Sequence, residues 1–106
     1  MKFVVQWTVR PGSDPKGNIE SSDSLLQAFG SWTPPPEWTI SEFLNRVDGR
    51  GGLLICETDD LTSIDRAVAQ YLAWLDYDVI PVVDIADSVG SLSAGSAWAR
   101  SAGGIG

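Results

Sequence analysis

Residues that move protons, attack carbon or hold metals are scarce in this 106-residue sequence. The chain contains no histidine, which excludes nucleophiles activated by histidine and zinc or haem sites with histidine ligands. Its single cysteine, Cys56, lies in an apolar run without an evident base, a setting that favours a buried structural thiol over a nucleophile. We therefore expect neither a cofactor nor a metal.

The carboxylates are the remaining candidates for acid and base chemistry. Asp59 and Asp60 precede a helical pattern, where capping of the helix is the expected role. The aspartates at positions 76, 78, 84 and 87 lack the spacing of a calcium loop and are expected at strand ends. Glu57 follows an apolar strand, where partial burial would raise its pKa and make it a weak catalytic candidate. An edge-facing or paired glutamate is the favoured alternative.

Aromatic residues suggest a binding pocket more strongly than any catalytic set. Five tryptophans are present, and those in regular elements are expected either to line a pocket for a flat apolar ligand or to fill the core or a dimer contact. Two arginines on strands are placed to neutralise an acidic ligand. The predicted pocket residues are Trp7, Trp38, Tyr71, Trp74, Arg10 and Arg46.

The charge distribution and the glycine spacing exclude several classes of binding partner. The chain has 14 acidic and 7 basic residues, a formal charge of −7, and its basic residues are scattered, so we expect no nucleic acid and no anionic membrane surface as partner. Gly49, Gly51 and Gly52 fit a tight hairpin, and they are not followed by the Gly-Lys-Ser/Thr ending that a nucleotide-binding loop requires. No leader-like or membrane-spanning run is evident, and a lone cysteine suits a reducing compartment, so we expect a cytoplasmic protein.

Hydrophobic periodicity predicts the elements that position these residues. Residues 53–56 and 79–83 are apolar at successive positions, as in strands covered on both faces, and an amphipathic helix separates them. The predicted elements are a strand over 2–10, a loop over 11–18, a helix over 18–29 capped by Ser21, Ser22 or Asp23, a strand over 38–47 bulged near Phe43 and Leu44, a turn over 48–52, a strand over 53–56, a helix over 61–75 and a strand over 77–83.

This order predicts a ferredoxin-like α+β fold, βαββαβ, with a four-stranded antiparallel sheet. We expect one domain over 1–85 and a C-terminal extension over 86–106 that is partly helical, with one or two turns, or disordered and frayed at its end. Helices cover only one face of such a sheet. Because the last two strands are apolar on both faces, we expect a homodimer that packs sheet to sheet, with a cavity between the subunits.

The sequence resembles the short bacterial proteins grouped as domain of unknown function family 3303 over residues 2–85. The resemblance rests on Trp7-Thr8, Pro11-Gly12, Pro34-Pro35-Pro36-Glu37, Gly51-Gly52, Glu57-Thr58-Asp59-Asp60 and Pro81-Val82-Val83-Asp84. It implies a dimeric alpha-beta barrel and supplies no activity and no catalytic residues. The family tends to have tryptophan where this chain has Tyr71, with Trp74 one turn later, so the resemblance implies a pocket of different shape.

Two functions stay open at this point. The first is a non-enzymatic homodimeric module that binds a small apolar or aromatic ligand or serves as an interaction partner. The second, by fold analogy, is a cofactor-independent monooxygenase or isomerase acting on an aromatic substrate. The absence of histidine and of a convincing acid and base pair favours the first.

Overall fold

Alternating apolar side chains build the central strands of the sheet. The structure is a computed structural model that describes residues 1–12 and 14–104. Its elements are β1 (Lys2–Val9), α1 (Pro15–Gly30), β2 (Thr39–Asn45), β3 (Gly51–Glu57), α2 (Leu61–Tyr71), β4 (Leu75–Val82) and α3 (Ile85–Gly103). The four strands are antiparallel in the order β2-β3-β1-β4. The predicted ferredoxin-like α+β fold is confirmed.

Strand register divides the sheet residues between two faces. Phe3, Val5 and Trp7 of β1 lie on the face that α1 and α2 cover, which we call the helix-side face. Opposite Phe3 and Val5 on β3 lie Cys56 and Leu54, and these four residues with Ile64 of α2 form the buried core. The other side, called the open face, carries Val4, Leu53, Ile55 and Ile80.

Helix α1 begins earlier than the sequence pattern predicts. Asp14 caps it by accepting a 2.6 Å hydrogen bond from the Gly17 amide, and Pro15 fits the first turn because its missing N–H has no partner there. The predicted start at 18 and the predicted caps at 21–23 are therefore wrong. Of the predicted loop, Asp14 is the helix cap and residues 15–18 belong to α1, and Ser13 lies outside the described residues.

Helix α2 begins as predicted and ends four residues earlier. Asp60 is its cap and accepts hydrogen bonds from the amides of Thr62 and Ser63, which confirms the capping role. The helix stops at Tyr71 because Leu75, expected as its last residue, pairs instead with Val9 and starts β4. The predicted helix end and the predicted strand start at 77 are thus corrected.

The second strand is shorter than predicted and bulges elsewhere. It spans Thr39–Asn45, and its register shifts between Ile40 and Glu42 instead of near residues 43 and 44. Ser41 is the additional residue of the bulge, and its hydroxyl donates to the Ile55 carbonyl across the β2 and β3 pair.

The C-terminal helix α3 is much longer than the one or two turns expected. It has Asp87 in its first turn and Arg100 in its last, charges that suit the two ends of the helix dipole, and Gly104 ends it in the left-handed conformation. No residue of α3 is buried. The final residues of the expected frayed end, 105 and 106, lie outside the described residues. None of the helices in the described part of the chain is long and apolar enough to cross a bilayer.

Candidate ligand cavity

A cavity of about 610 Å³ lies between the helix-side face and the two helices that cover it. Its floor comes from the sheet and its roof from α1, α2 and the segment that joins α1 to β2. The floor residues are Val5, Trp7, Phe43, Leu44, Asn45, Leu54, Leu75 and Tyr77, and the roof residues are Leu25, Leu26, Phe29, Trp32, Trp38, Ile64, Ala67, Val68 and Tyr71. The space lies inside one chain and needs no second subunit.

The cavity exists because α1 packs loosely on the sheet. None of its residues is buried, and the apolar side chains that face the sheet stay partly or well exposed, with Leu26 at 65% and Phe29 at 45%. Phe43, on the helix-side face of the edge strand β2, is exposed to a similar degree. The opening of the cavity therefore lies between α1 and β2.

An aromatic cluster shapes the walls next to this opening. Phe43 is its centre, with ring centroids 5.7 Å from Trp7, 5.6 Å from Phe29 and 6.1 Å from Trp32, all edge to face. Trp32 extends the cluster to Tyr71, 6.4 Å away. Edge-to-face pairs at these distances are favourable, and they give the cavity aromatic walls on both floor and roof.

Gly52 provides the room that the Trp7 indole occupies. It pairs with Trp7 across β1 and β3, and a Cβ atom at Gly52 would lie 2.5 Å from the Trp7 ring and 2.2 Å from the Leu44 carbonyl oxygen. No side chain larger than hydrogen fits there without a shift. The glycine predicted only as part of a hairpin therefore also sets the position of a cavity wall.

Two roof side chains are held by hydrogen bonds. Trp38 donates its Nε1–H to Ser63 Oγ over 2.7 Å, and Ser63 in turn donates its hydroxyl to the Asp60 carbonyl. The Tyr71 hydroxyl donates to the Ala28 carbonyl of α1 over 3.4 Å. These bonds tie α2 to α1 and to the segment before β2, so the roof is fixed at two points.

The cavity is electrically neutral. No side chain of its lining, within the described residues, carries a charge at neutral pH, and its titratable groups are two tyrosines. Burial raises the pKa of Tyr71, and burial together with nearby Tyr71 raises the pKa of Tyr77 to about 12. Both phenols are therefore protonated at neutral pH and can donate hydrogen bonds.

The structure places three of the six predicted pocket residues in the lining, namely Trp7, Trp38 and Tyr71. Trp74 lies beside Tyr71, with ring centroids 6.2 Å apart and ring planes inclined at 54°, and is not a lining residue. Ligand binding by these aromatic residues stays a prediction.

Neither predicted arginine faces this cavity. Arg10 forms an exposed ion pair with Asp76 at 2.8 Å, and Arg46 pairs with Asp48 beside the hairpin. Arg46 also borders a separate depression of about 190 Å³. The reason is their position, since both residues lie just beyond the ends of strands and pair with nearby aspartates.

The weak catalytic candidate, Glu57, is not a lining residue of the cavity. Glu57 sits at the exposed end of β3, opposite Lys2, whose Nζ lies 3.8 Å from Glu57 Oε1 and 3.0 Å from Asp84 Oδ1. The premise of partial burial is therefore wrong, because the strand ends at this residue on the open face. Cys56 is fully buried and burial raises the pKa of its thiol, as expected for a structural cysteine. Within residues 1–12 and 14–104, no three cysteines or carboxylates gather as metal ligands.

Several lining residues were not predicted as site residues. Trp32, Phe29 and Phe43 form most of the aromatic cluster, and Asn45 and Tyr77 are polar residues of the floor. The period-two pattern of β4 contained a signal for Tyr77, because an outward aspartate flanks it on each side. Trp32 follows the end of α1, and its place in the roof depends on how the chain turns there.

The fold and the cavity define a ferredoxin-like α+β protein with a cavity lined by aromatic side chains between its sheet and its helices. The chain belongs to the family described as Domain of unknown function (DUF3303), which it matches over residues 1–96. The match includes the first part of α3 and so extends past residue 85. The chain matches no curated protein.

Proposed function

We propose that this protein binds a small, neutral, flat ligand of apolar or aromatic character inside the cavity. The observation that supports the proposal is the cavity itself, about 610 Å³ with aromatic walls and, among the described residues, no charged lining side chain. Ligand sites in proteins usually have volumes of roughly 300–1,000 Å³ and mostly apolar walls with a few polar groups. A lining of this kind holds water poorly and favours an apolar occupant.

A cofactor-independent monooxygenase or isomerase acting on an aromatic substrate is the alternative. Such an enzyme would use the same cavity and would need a group that accepts a proton from the substrate. Within the described residues the lining supplies Tyr71 and Tyr77 for this role, and their raised pKa values make both poor bases at neutral pH. Binding without chemical conversion is therefore the better supported function.

The test compares two probes that share one ring skeleton and differ in charge, tetralin and tetralin-2-carboxylate, by isothermal titration calorimetry. We expect tetralin to bind and its carboxylate to bind at least tenfold more weakly, because a charge in this uncharged lining would lose its hydration without a partner. Equal affinity for both probes, or preference for the carboxylate, would contradict the proposal.

Tryptophan fluorescence locates the bound probe. Trp32 lines the cavity, whereas Trp98 lies on α3 and is 72% exposed. Replacement of Trp32 by phenylalanine should reduce the fluorescence change on tetralin binding, and the matched Trp98→Phe variant should leave it intact. The opposite pattern would place the probe on α3.

We further propose that the protein forms a homodimer through its open face. That face carries an apolar patch in which Ile55, Val4 and Ile80 form one row across three neighbouring strands. Leu53 lies next to Ile55 on β3, opposite Gln6, and Ile80 is 42% exposed. Carboxylates border this patch, among them Glu42 and Asp78. An isologous contact would bury the apolar centre of both copies and bring like charges close together.

The dimer proposal has a measurable consequence for salt dependence. Because salt screens repulsion between the acidic borders, we expect association to strengthen as ionic strength rises. Sedimentation equilibrium of the protein and of an Ile80→Asp variant tests this. A monomer at all salt concentrations, or an unaffected dimer in the variant, would exclude this surface as the contact.

A reducing compartment suits the buried Cys56 thiol, and we propose the cytoplasm as the location. Fractionation of cells that produce the protein would test this, and recovery outside the cytoplasm would contradict it.

A further inference from the structure

The floor of the cavity contains one polar row. Across the helix-side face, pairing places Asn45, Gly52, Trp7 and Tyr77 side by side on β2, β3, β1 and β4. Beyond this row, in one direction, Leu75 is the single floor residue among those that the structure describes.

The floor on the other side of the polar row is apolar. The next row consists of Phe43, Leu54 and Val5, with Ile64 and Val68 among the roof residues. The cavity therefore has hydrogen-bonding groups toward one end of its floor and a larger apolar region beside them.

From this arrangement, and resting on the proposed function, we propose that the ligand carries a hydrogen-bond acceptor such as a ketone or quinone oxygen on its flat apolar body. The acceptor oxygen lies at the polar row and receives a hydrogen bond from the Tyr77 hydroxyl. The apolar body lies over the row of Phe43, Leu54 and Val5.

The Tyr77 hydroxyl is suited to this role because it is an unbonded donor in the polar row of the floor, whereas two polar groups of the roof are already bonded. Asn45, at the β2 end of the same row, is likewise without a side-chain hydrogen bond among the described residues, and the Tyr77→Phe variant separates the two donors. Tyr71 donates to the Ala28 carbonyl, and Trp38 donates to Ser63. No side-chain hydrogen bond within residues 1–12 and 14–104 involves Tyr77, so its donor is available to a ligand. The raised pKa of Tyr77 keeps the phenol protonated well above neutral pH.

A hydrogen-bond donor without a partner in an apolar cavity favours ligands that can accept its hydrogen bond. Hydrogen bonds between neutral groups contribute modestly, so loss of this one should reduce affinity roughly two- to tenfold. The effect should be confined to ligands with the acceptor oxygen. This restriction distinguishes a specificity residue from one that only maintains the shape of the cavity.

The experiment uses 1-tetralone, which has a ketone, and tetralin, which shares its ring skeleton and lacks the oxygen. Isothermal titration calorimetry measures the affinity for each probe of the unmodified full chain and of the Tyr77→Phe and Tyr71→Phe variants. We expect Tyr77→Phe to weaken 1-tetralone binding about fivefold and to leave tetralin binding unchanged. Tyr71→Phe is the matched control and should preserve the ratio of the two affinities.

The possible failures are distinguishable. Equal losses for both probes in Tyr77→Phe, or an unchanged affinity for 1-tetralone, would overturn the role of Tyr77 and leave ligand binding intact. If neither probe binds to the unmodified chain, the proposed function is overturned as well.

A second measurement needs no variant and covers the case in which Tyr77→Phe fails to fold. The infrared band of 1-tetralone labelled with ¹³C at its carbonyl should shift to lower frequency on binding, relative to the band in an alkane solvent, because a hydrogen bond weakens the C=O bond. A bound probe with an unshifted carbonyl band would overturn the inference.

Discussion

Replacement of Ala67 by leucine tests whether the space between sheet and helices is truly empty. Ala67 lies on α2 and lines the cavity. Leucine adds three carbon atoms there, and each buried carbon is worth about 0.8 kcal/mol, so full burial would raise the free energy of unfolding by about 2 kcal/mol. In a solid interior the same change would overpack the core and lower that free energy by roughly 1–3 kcal/mol. The change in the free energy of unfolding therefore has opposite signs for an empty and for a solid interior.

Urea unfolding followed by circular dichroism measures this change, and calorimetry with tetralin measures its effect on binding. The matched control is Ala69→Leu on the same helix, where the side chain is exposed and the free energy should change little. We expect Ala67→Leu to raise the melting temperature by several degrees, since 1 kcal/mol corresponds to roughly 4–8 °C in a domain of this size, and to weaken tetralin binding. A destabilised Ala67→Leu variant beside a neutral Ala69→Leu variant would refute the cavity.

Three further predictions concern the floor, the tyrosines and the open face. Gly52→Ala should lower the free energy of unfolding by about 1–3 kcal/mol and change the near-ultraviolet circular dichroism of tryptophan, because the new methyl group displaces the Trp7 indole; unchanged values would contradict the close contact. The pKa of Tyr77 is raised to about 12 from an ordinary value of 10, so its contribution to stability is complete below pH 10 and is lost as pH rises toward 12. Unfolding measured across this range should show that loss, and Tyr77→Phe should reduce it; an identical pH profile in the variant would contradict the assignment. Ile80→Asp should abolish self-association in sedimentation equilibrium while leaving tetralin affinity unchanged, and a joint loss of both would indicate that the ligand site requires the dimer.

The order and type of the four strands, α1 and α2 followed from local sequence signals, whereas the length of α3 did not. Alternation in β1 and the apolar run of β3 fixed two strands, and Asp60 before an amphipathic pattern fixed the start of α2. Helix and strand boundaries that depend on strand pairing could be predicted less well from the sequence. Leu75 fits the helical pattern of α2, and only its pairing with Val9 assigns it to β4. The start of α1 was missed because Pro15 and Gly17 were interpreted as loop residues, although proline is favourable in a first turn.

The candidate site was less predictable than the fold for a geometric reason. Trp7 and Tyr71 stood out as large aromatic residues on regular elements, but membership of the lining depends on which face a side chain occupies and on how far α1 stands from the sheet. The sheet pairing decided the place of Tyr77, and loose packing of α1 brought Phe29 to the opening. The arginines were misplaced because a strand position does not reveal that Asp48 and Asp76 pair with them.

Nuclear Overhauser effects between tetralin and the protein test the proposed binding site most directly, because they report which side chains lie within a few ångströms of the bound probe. Occupation of the cavity predicts contacts from the ring protons of tetralin to Phe43, Val68 and Tyr71. Contacts to Val4 and Ile80 on the open face, with none to the cavity lining, would contradict it.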